Sequence, residues 1–380
     1  MSKPELSNAA SGAPAPALMT LLRRQIAQAG GWLPFDRFMA QALYAPGLGY
    51  YSGARRKFGL LPDSGSDFVT APELSPWFGR ALARQVAQAL AATGTDEVWE
   101  FGAGSGALAL QLLDALGDTV RRYTIVDLSG SLRERQRQTL AAHAHTVQWV
   151  DALPETLRGV VVGNEVLDAM PVQLLARQGG QWHERGVVWR EAAGALQFED
   201  RPTERQPPVA VEGAHDYVTE VHPQAEAFVA TLAERLLAPD ASGAPGAGAV
   251  FLIDYGFPEG EYYHPQRHMG TLMCHQGHRA DPDPLSDVGA KDITAHVNFT
   301  GIALAGQDAG LQVLGYASQA RFLLNCGLLD LLDAASFEQR HMAQKLITEH
   351  EMGELFKVIA FGTHVWEPLG FAQGDRTHTL

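Results

Sequence analysis

The 380 residues are 46% hydrophobic and 19% charged, which excludes a disordered chain and leaves room for two domains or one enlarged domain. With 43 acidic against 29 basic residues the net charge is -14, which argues against a nucleic-acid backbone or an anionic membrane surface as partner. Two cysteines, Cys274 and Cys326, exclude a disulfide framework and suit a reducing compartment, and no apolar run reaches the length of a membrane span.

Residues 1 to about 16 are rich in Ala, Ser, Pro and Gly and read as disordered. They show neither a signal-peptide core nor the Arg-rich character of a transit peptide, so the cytoplasm is the expected location. Residues 17–95 read as a helical and loop extension. In it "LMTLLRRQIAQAGGWLPFDRFMAQALY" carries apolar residues at helical spacing, broken at Gly30-Gly31. The loops "LYAPGLGYYS" and "DFVTAPELSPWFG" are dense in Gly, Pro and aromatics and long enough to serve as a lid. That lid would bring Tyr50, Tyr51, Asp67 and Phe68 near a ligand, whereas the short basic stretch Arg55 to Lys57 reads as solvated loop. The helix "PWFGRALARQVAQALAATG" stops at Gly94.

Residues 96–380 read as one ligand-binding domain. Strands "EVWEFGAG", "RRYTIVDLS", "TVQWVDAL" and "GVVVGNEVLDAMP" alternate with helices, a pattern that predicts an α/β fold built on a doubly wound, mostly parallel sheet. An insertion at about 172–245 opens with period-two alternation and glycine turns, hence an antiparallel meander. "VFLIDYG" is a fifth core strand, and the chain closes strand, helix, strand.

The turn "EFGAGSGALAL" sets Gly102, Gly104 and Gly106 two apart between strand and helix. It fits the dinucleotide pattern G-x-G-x-x-G/A with Ala107 last, and equally the tighter pattern of an S-adenosylmethionine (SAM) site. SAM has an ammonium, a ribose diol and an adenine amine, each of which wants a carboxylate or acceptor. Glu100 stands before the glycines, Asp127 ends the second strand with Leu128 beside it, and Asp151 follows the third strand with Ala152 beside it. Asp127 would serve NAD as well, and Asp151 could be a helix cap. With the "NEVLDAMP" that ends the fourth strand, the set favours SAM, and S-adenosylhomocysteine as product. The rivals are an NAD(P)-linked oxidoreductase and a SAM-fold assembly factor that binds partners without catalysis.

"LYAPGLGYYS", "DFVTAPELSPWFG", "EFGAGSG", "NEVLDAMPV", "LIDYG" and "DITAHVNF" occur in this order over residues 43–299. The set resembles the MidA family of SAM-dependent methyltransferases of bacteria and mitochondria. The likeness implies a class I methyltransferase, Rossmann-like fold with an antiparallel terminal strand. It also implies transfer to a protein side chain, with arginine preferred, because mitochondrial members assist respiratory complex I assembly and are associated with methylating a protein arginine. A complex I subunit is then one conceivable partner. One departure is Asn298, where the family more often has Asp.

Methyl transfer is an in-line displacement, so the nucleophile must be aligned and water excluded. Glu165 and Asp168, three apart at the end of the fourth strand, suit a guanidinium holder and a supporting carboxylate, with Asn164 contributing its amide or carbonyl. The alternative is that Asn164 and Asp168 only cap a turn before Pro171. His296 could be a base or substrate contact, or a structural histidine. His264, His268, Cys274, His275 and His278 crowd together, but Pro265, Gly270 and Gly277 interrupt them and no paired CxxC exists, so no metal site is expected.

Overall fold

The computed structural model describes residues 16–52, 69–127, 129–277 and 279–380. The expected disordered residues 1–15, the basic stretch Arg55 to Lys57, Asp67, Phe68, Leu128 and His278 lie outside the described residues.

The chain opens with α1 (Pro16–Gln28), β1 (Leu33–Pro34) and α2 (Phe35–Tyr44), then α3 (Ala71–Leu74) and α4 (Pro76–Thr93). There follow β2 (Glu97–Phe101), α5 (Ala107–Leu116), β3 (Arg122–Val126), α6 (Gly130–Thr139), β4 (Val147–Val150) and β5 (Gly159–Asn164). Between β5 and the next central strand come β6 (Gln173–Gln178), β7 (Gln181–Arg190), β8 (Ala195–Pro202), β9 (Tyr217–Val221) and α7 (Pro223–Leu237). The chain then returns as β10 (Gly248–Phe257), α8 (Glu259–Tyr262), β11 (Met273–Gln276), β12 (Arg279–Asp281), β13 (Asp292–Thr294), β14 (Val297–Asn298) and α9 (Phe299–Asp308). It closes with β15 (Gln312–Ser318), α10 (Gln319–Asn325), α11 (Leu328–Leu332), α12 (Phe337–Gln344) and β16 (Phe356–Gly362).

The central sheet runs β15-β16-β10-β5-β2-β3-β4, with β14 beside the end of β10. From β10 to β4 all neighbours are parallel, and β16 is antiparallel to both β10 and β15. The sheet is thus mostly parallel, as the strand-helix alternation predicts. Its side chains alternate between two cores. Val160 and Val162 of β5, with Phe251 and Ile253 of β10, face Phe78, Leu82 and Val86 of α4 and Leu108 and Leu112 of α5. Val161, Val250 and Leu252 face Val229 and Leu232 of α7 and Ile302 of α9. Being covered on both faces is what makes β5 and β10 continuous apolar runs.

The second sheet, β1-β7-β6-β9 with β8 on β7, joins the N-terminal β1 to the strands that lie between β5 and β10 in the chain. Leu33 pairs with Val187, and Leu22, Phe38, Met39 and Leu43 share a core with Leu174 and Val187. Gly179 and Gly180 both take positive φ, as a two-residue β6–β7 turn requires. None of the described helices is long and apolar enough to cross a membrane.

Candidate active site

Where the sheet order reverses, β2 and β5 run side by side and diverge into loops at their carboxyl ends, the place where open α/β sheets hold ligands. A cavity of about 1350 Å³ opens there, beyond the roughly 300–1,000 Å³ of ordinary small-molecule sites. Glu100, Gly102, Gly104, Asp127, Asn164, Glu165, Asp168 and His296 all line it. Gly106 sits behind the wall as the left-handed N-cap of α5. Asp151 and Ala152 are exposed and outside it; the Asp151 side chain is 77% exposed and paired with Arg133.

Gly102, Gly104 and Gly106 have φ of 65°, 53° and 86°, a left-handed run that L side chains resist. The turn is held from behind by a residue that sequence reasoning missed. Gln136, fully buried on α6, donates from Nε2 to the Gly104 carbonyl (3.1 Å) and to Asp127 Oδ2 (2.8 Å). Its Oε1 accepts from Trp149 Nε1 at 2.9 Å, so the whole amide is used. Asp127 also accepts from the Ser129 N–H at 2.8 Å. Glu100, buried at the end of β2, accepts from the Tyr123 hydroxyl at 2.7 Å. Burial raises its carboxyl to about 8, aided by the charge of Asp127 and opposed by that hydrogen bond. α3 closes over the turn: Thr70, Pro72, Glu73 and Leu74 line the cavity, and the Ser105 hydroxyl donates to Glu73.

Across the cavity lies a group of acids and tyrosines. Glu165 has φ of 54°, a strained value for a non-glycine residue. Its Oε1 accepts from Asn164 Nδ2 at 2.9 Å. Its carboxyl is raised to about 8, by burial first and then by Asp168, against hydrogen bonds from Asn164 and the Ala71 N–H, with Asp292 adding to the rise. Asp168 accepts from the Tyr255 hydroxyl at 2.6 Å and is raised by burial to about 6. Asp292, brought in from β13, accepts from the Tyr51 hydroxyl at 2.8 Å. The rings of Tyr44 and Tyr51 stack with centroids 5.5 Å apart.

The turn carrying Glu165 and Asp168 is fixed by Asp254, another residue that sequence reasoning missed. Its Oδ2 accepts from the N–H groups of Val166 (3.1 Å), Leu167 (2.9 Å) and Asp168 (3.2 Å). The "LIDYG" stretch contained it and Tyr255, but nothing local marks either as facing this turn.

His296 packs edge-on to Tyr255, and burial lowers it to about 4, so it is neutral at pH 7. Its Nδ1 is buried and has no hydrogen-bond partner among the described residues. Asn298 is buried and accepts from the Gly301 N–H at 3.3 Å, capping α9 outside the cavity; there an amide caps as well as a carboxylate would. Among the described residues no three His, Cys, Asp or Glu side chains come together to hold a metal, and Cys274 and Cys326 are buried free thiols.

The sequence profile of a family described as "Putative S-adenosyl-L-methionine-dependent methyltransferase" matches residues 81–317. The chain belongs to this family. The match decides between the two cofactors that the glycine turn left open: the protein is a class I SAM-dependent methyltransferase of MidA type, not a dinucleotide oxidoreductase. Within this family, a crystal structure from Burkholderia thailandensis bound to S-adenosyl-homocysteine is 52% identical, with a TM-score of 0.89 over 97% of this chain and 100% of that one. A native structure from the same organism is 51% identical, with a TM-score of 0.85 and the same coverage. Protein arginine methyltransferase NDUFAF7, mitochondrial, of Danio rerio is 28% identical over 87% of this chain and 83% of its own. The Caenorhabditis elegans homolog is 26% identical over 78% and 74%. The methyltransferase cavity fits its cofactor: the left-handed glycine turn presents bare backbone, and Glu100 and Asp127 line the same wall.

Proposed function

We propose that this methyltransferase modifies an arginine guanidinium of a protein substrate. One observation carries the reading: Glu165, Asp168 and Asp292 line one cavity with Tyr44, Tyr51 and Tyr255, beside the glycine turn. The charges of Asp168 and Asp292 add to the rise that burial gives the Glu165 carboxyl, so a bound cation relieves their repulsion, and stacked tyrosines suit a flat guanidinium. The names of the relatives, protein arginine methyltransferases, support the same acceptor. A respiratory complex I subunit is the partner that the family likeness suggests, and the cytoplasm is the location that two free thiols favour.

In this reading Glu100 faces the cofactor's ammonium and Asp127 its ribose diol. The bound cofactor supplies an electrophilic methyl on a sulfonium. Glu165 holds the guanidinium in line, Asn164 fixes the Glu165 carboxylate, and Asp168 supports the charge. A Glu165 oxygen, with its carboxyl raised to about 8, is matched to take the proton that the guanidinium loses. His296, neutral, offers a ring nitrogen to the substrate side of the cavity.

Two measurements test this. Mass spectrometry of substrate proteins should find methyl increments on arginine and none on lysine; methylation confined to lysine overturns the acceptor. The pH profile tests Glu165. Its ionised form binds the cation, so kcat/KM at saturating cofactor should rise ~tenfold per pH unit and level off above about 8. A flat profile between pH 6 and 8 removes Glu165 from that role. For the cofactor side, Asp127→Ala should weaken SAM by roughly ten- to a hundredfold, the loss of one charge-assisted contact. A lower melting temperature at unchanged affinity would make Asp127 purely structural.

A further inference from the structure

Part of the cavity wall is loop, and a buried acid that the chemistry above does not use holds that loop. Gly270, Thr271 and Leu272 line the cavity just ahead of β11. Glu220 of β9 is fully buried behind them. Its Oε1 accepts from the N–H groups of Thr271 (2.8 Å) and Leu272 (3.0 Å). Its Oε2 accepts from the hydroxyls of Tyr262 (2.9 Å) and Thr271 (3.1 Å). The Tyr262 oxygen lies 3.0 Å from Nε2 of His222, which burial lowers to about 3 and so keeps neutral. The Thr271 oxygen accepts from the His296 N–H at 3.1 Å. Gly270 holds φ at 74°, and a Cβ there would stand 2.5 Å from Glu220 Oε1, so the carboxylate takes the space of a side chain. Burial raises the Glu220 carboxyl against these hydrogen bonds, so a charge is kept here at a cost in stability.

We infer that Glu220 is a positioning residue for the methyl acceptor: it sets the wall at 270–272 and, through Thr271, the placement of His296. Its contacts lead to the acids. His296 packs on Tyr255, whose hydroxyl donates to Asp168. The loop enters β11, where Met273 pairs with Thr294 and His275 with Asp292, so its placement also governs how β13 presents Asp292. Asp254 does the same for the turn that carries Glu165 and Asp168, again by accepting from consecutive backbone N–H groups. This rests on the acids being the acceptor site, whichever residue type is methylated there.

The test compares Glu220→Gln with Glu220→Met, using methyl-tritiated SAM and protein extract from cells that lack the enzyme, over a range of extract concentrations. Gln keeps an oxygen for the two N–H groups and offers an NH2 to the two hydroxyl oxygens, so its KM for extract should stay within about twofold of the parent's. Met fills the space without accepting, and KM should rise about tenfold or more, because a small misplacement of a positioned group has that effect. Affinity for S-adenosylhomocysteine, by calorimetry, should hold in both. A merely structural role would instead lower the melting temperature and the active fraction, hence kcat, at unchanged KM. The parent's KM in a folded Glu220→Met protein, or an equal loss of S-adenosylhomocysteine affinity, overturns the assignment. Where Glu220→Met does not fold, Gly270→Ala displaces the same carboxylate, and there too an unchanged KM overturns it. Glu165→Gln, run alongside, separates the two readings. Full turnover in that variant removes the acids as acceptor site and the role of Glu220 with them. Lost turnover there, with the parent's KM in Glu220→Met, removes the positioning role alone.

Discussion

Gly104→Val is expected to abolish SAM binding and leave the fold in place. The residue holds φ at 53°, where a β-branched side chain is a true outlier. Any rotation that relieves the strain swings the Gly104 carbonyl away from Gln136 Nε2, now 3.1 Å distant. Gln136 also holds Asp127, so one substitution disturbs the backbone cradle and the Asp127 carboxylate together. Affinity should fall by more than a hundredfold, roughly 3 kcal/mol or more, by calorimetry. Circular dichroism should hold, because the packing of β2 and α5 lies on either side of the turn. Unchanged affinity would place the cofactor elsewhere.

The glycine turn was legible because its spacing between strand and helix is a local pattern, and Glu100 and Asp127 at strand ends line the cavity with it. What supports it was not, because the supports come from distant segments. Gln136 sits in "RERQRQT", which reads as a solvated helix face. Yet Leu132, Gln136 and Leu140 recur at spacing four, and that stripe turns Gln136 inward, where it is fully buried. Asp151 follows β4, where the adenine is expected, and its side chain lies at the surface paired with Arg133. Asp254 and Asp292 reach the site only through the sheet order and the return of β13, which local pattern does not encode. The pairing of β1 with β7 is equally non-local: an N-terminal segment completes a sheet whose other strands lie more than a hundred residues on.

Glu165→Gln should keep SAM affinity nearly constant while turnover falls by roughly a hundredfold or more, because alignment and charge stabilisation are lost together. The amide keeps the shape and can still accept from Asn164 Nδ2, and the glycine turn, Glu100 and Asp127 are untouched. The same substitution has an opposite effect on stability. The carboxyl ionises near 4.5 in the unfolded chain and near 8 in the folded one. Between those values the unfolded state gives up a proton that the folded state retains, so this group makes the protein less stable as pH rises from about 4.5 to 8. An uncharged amide removes that penalty. The variant should therefore melt higher than the parent at pH 8 and at the same temperature near pH 4. A strained, left-handed, acid-crowded glutamate is what a site accepts when the charge is needed for function. A residue there only for structure would give the reverse pair, a lower melting temperature with turnover per folded molecule preserved. Full turnover in a stable Glu165→Gln protein would remove Glu165 from the chemistry.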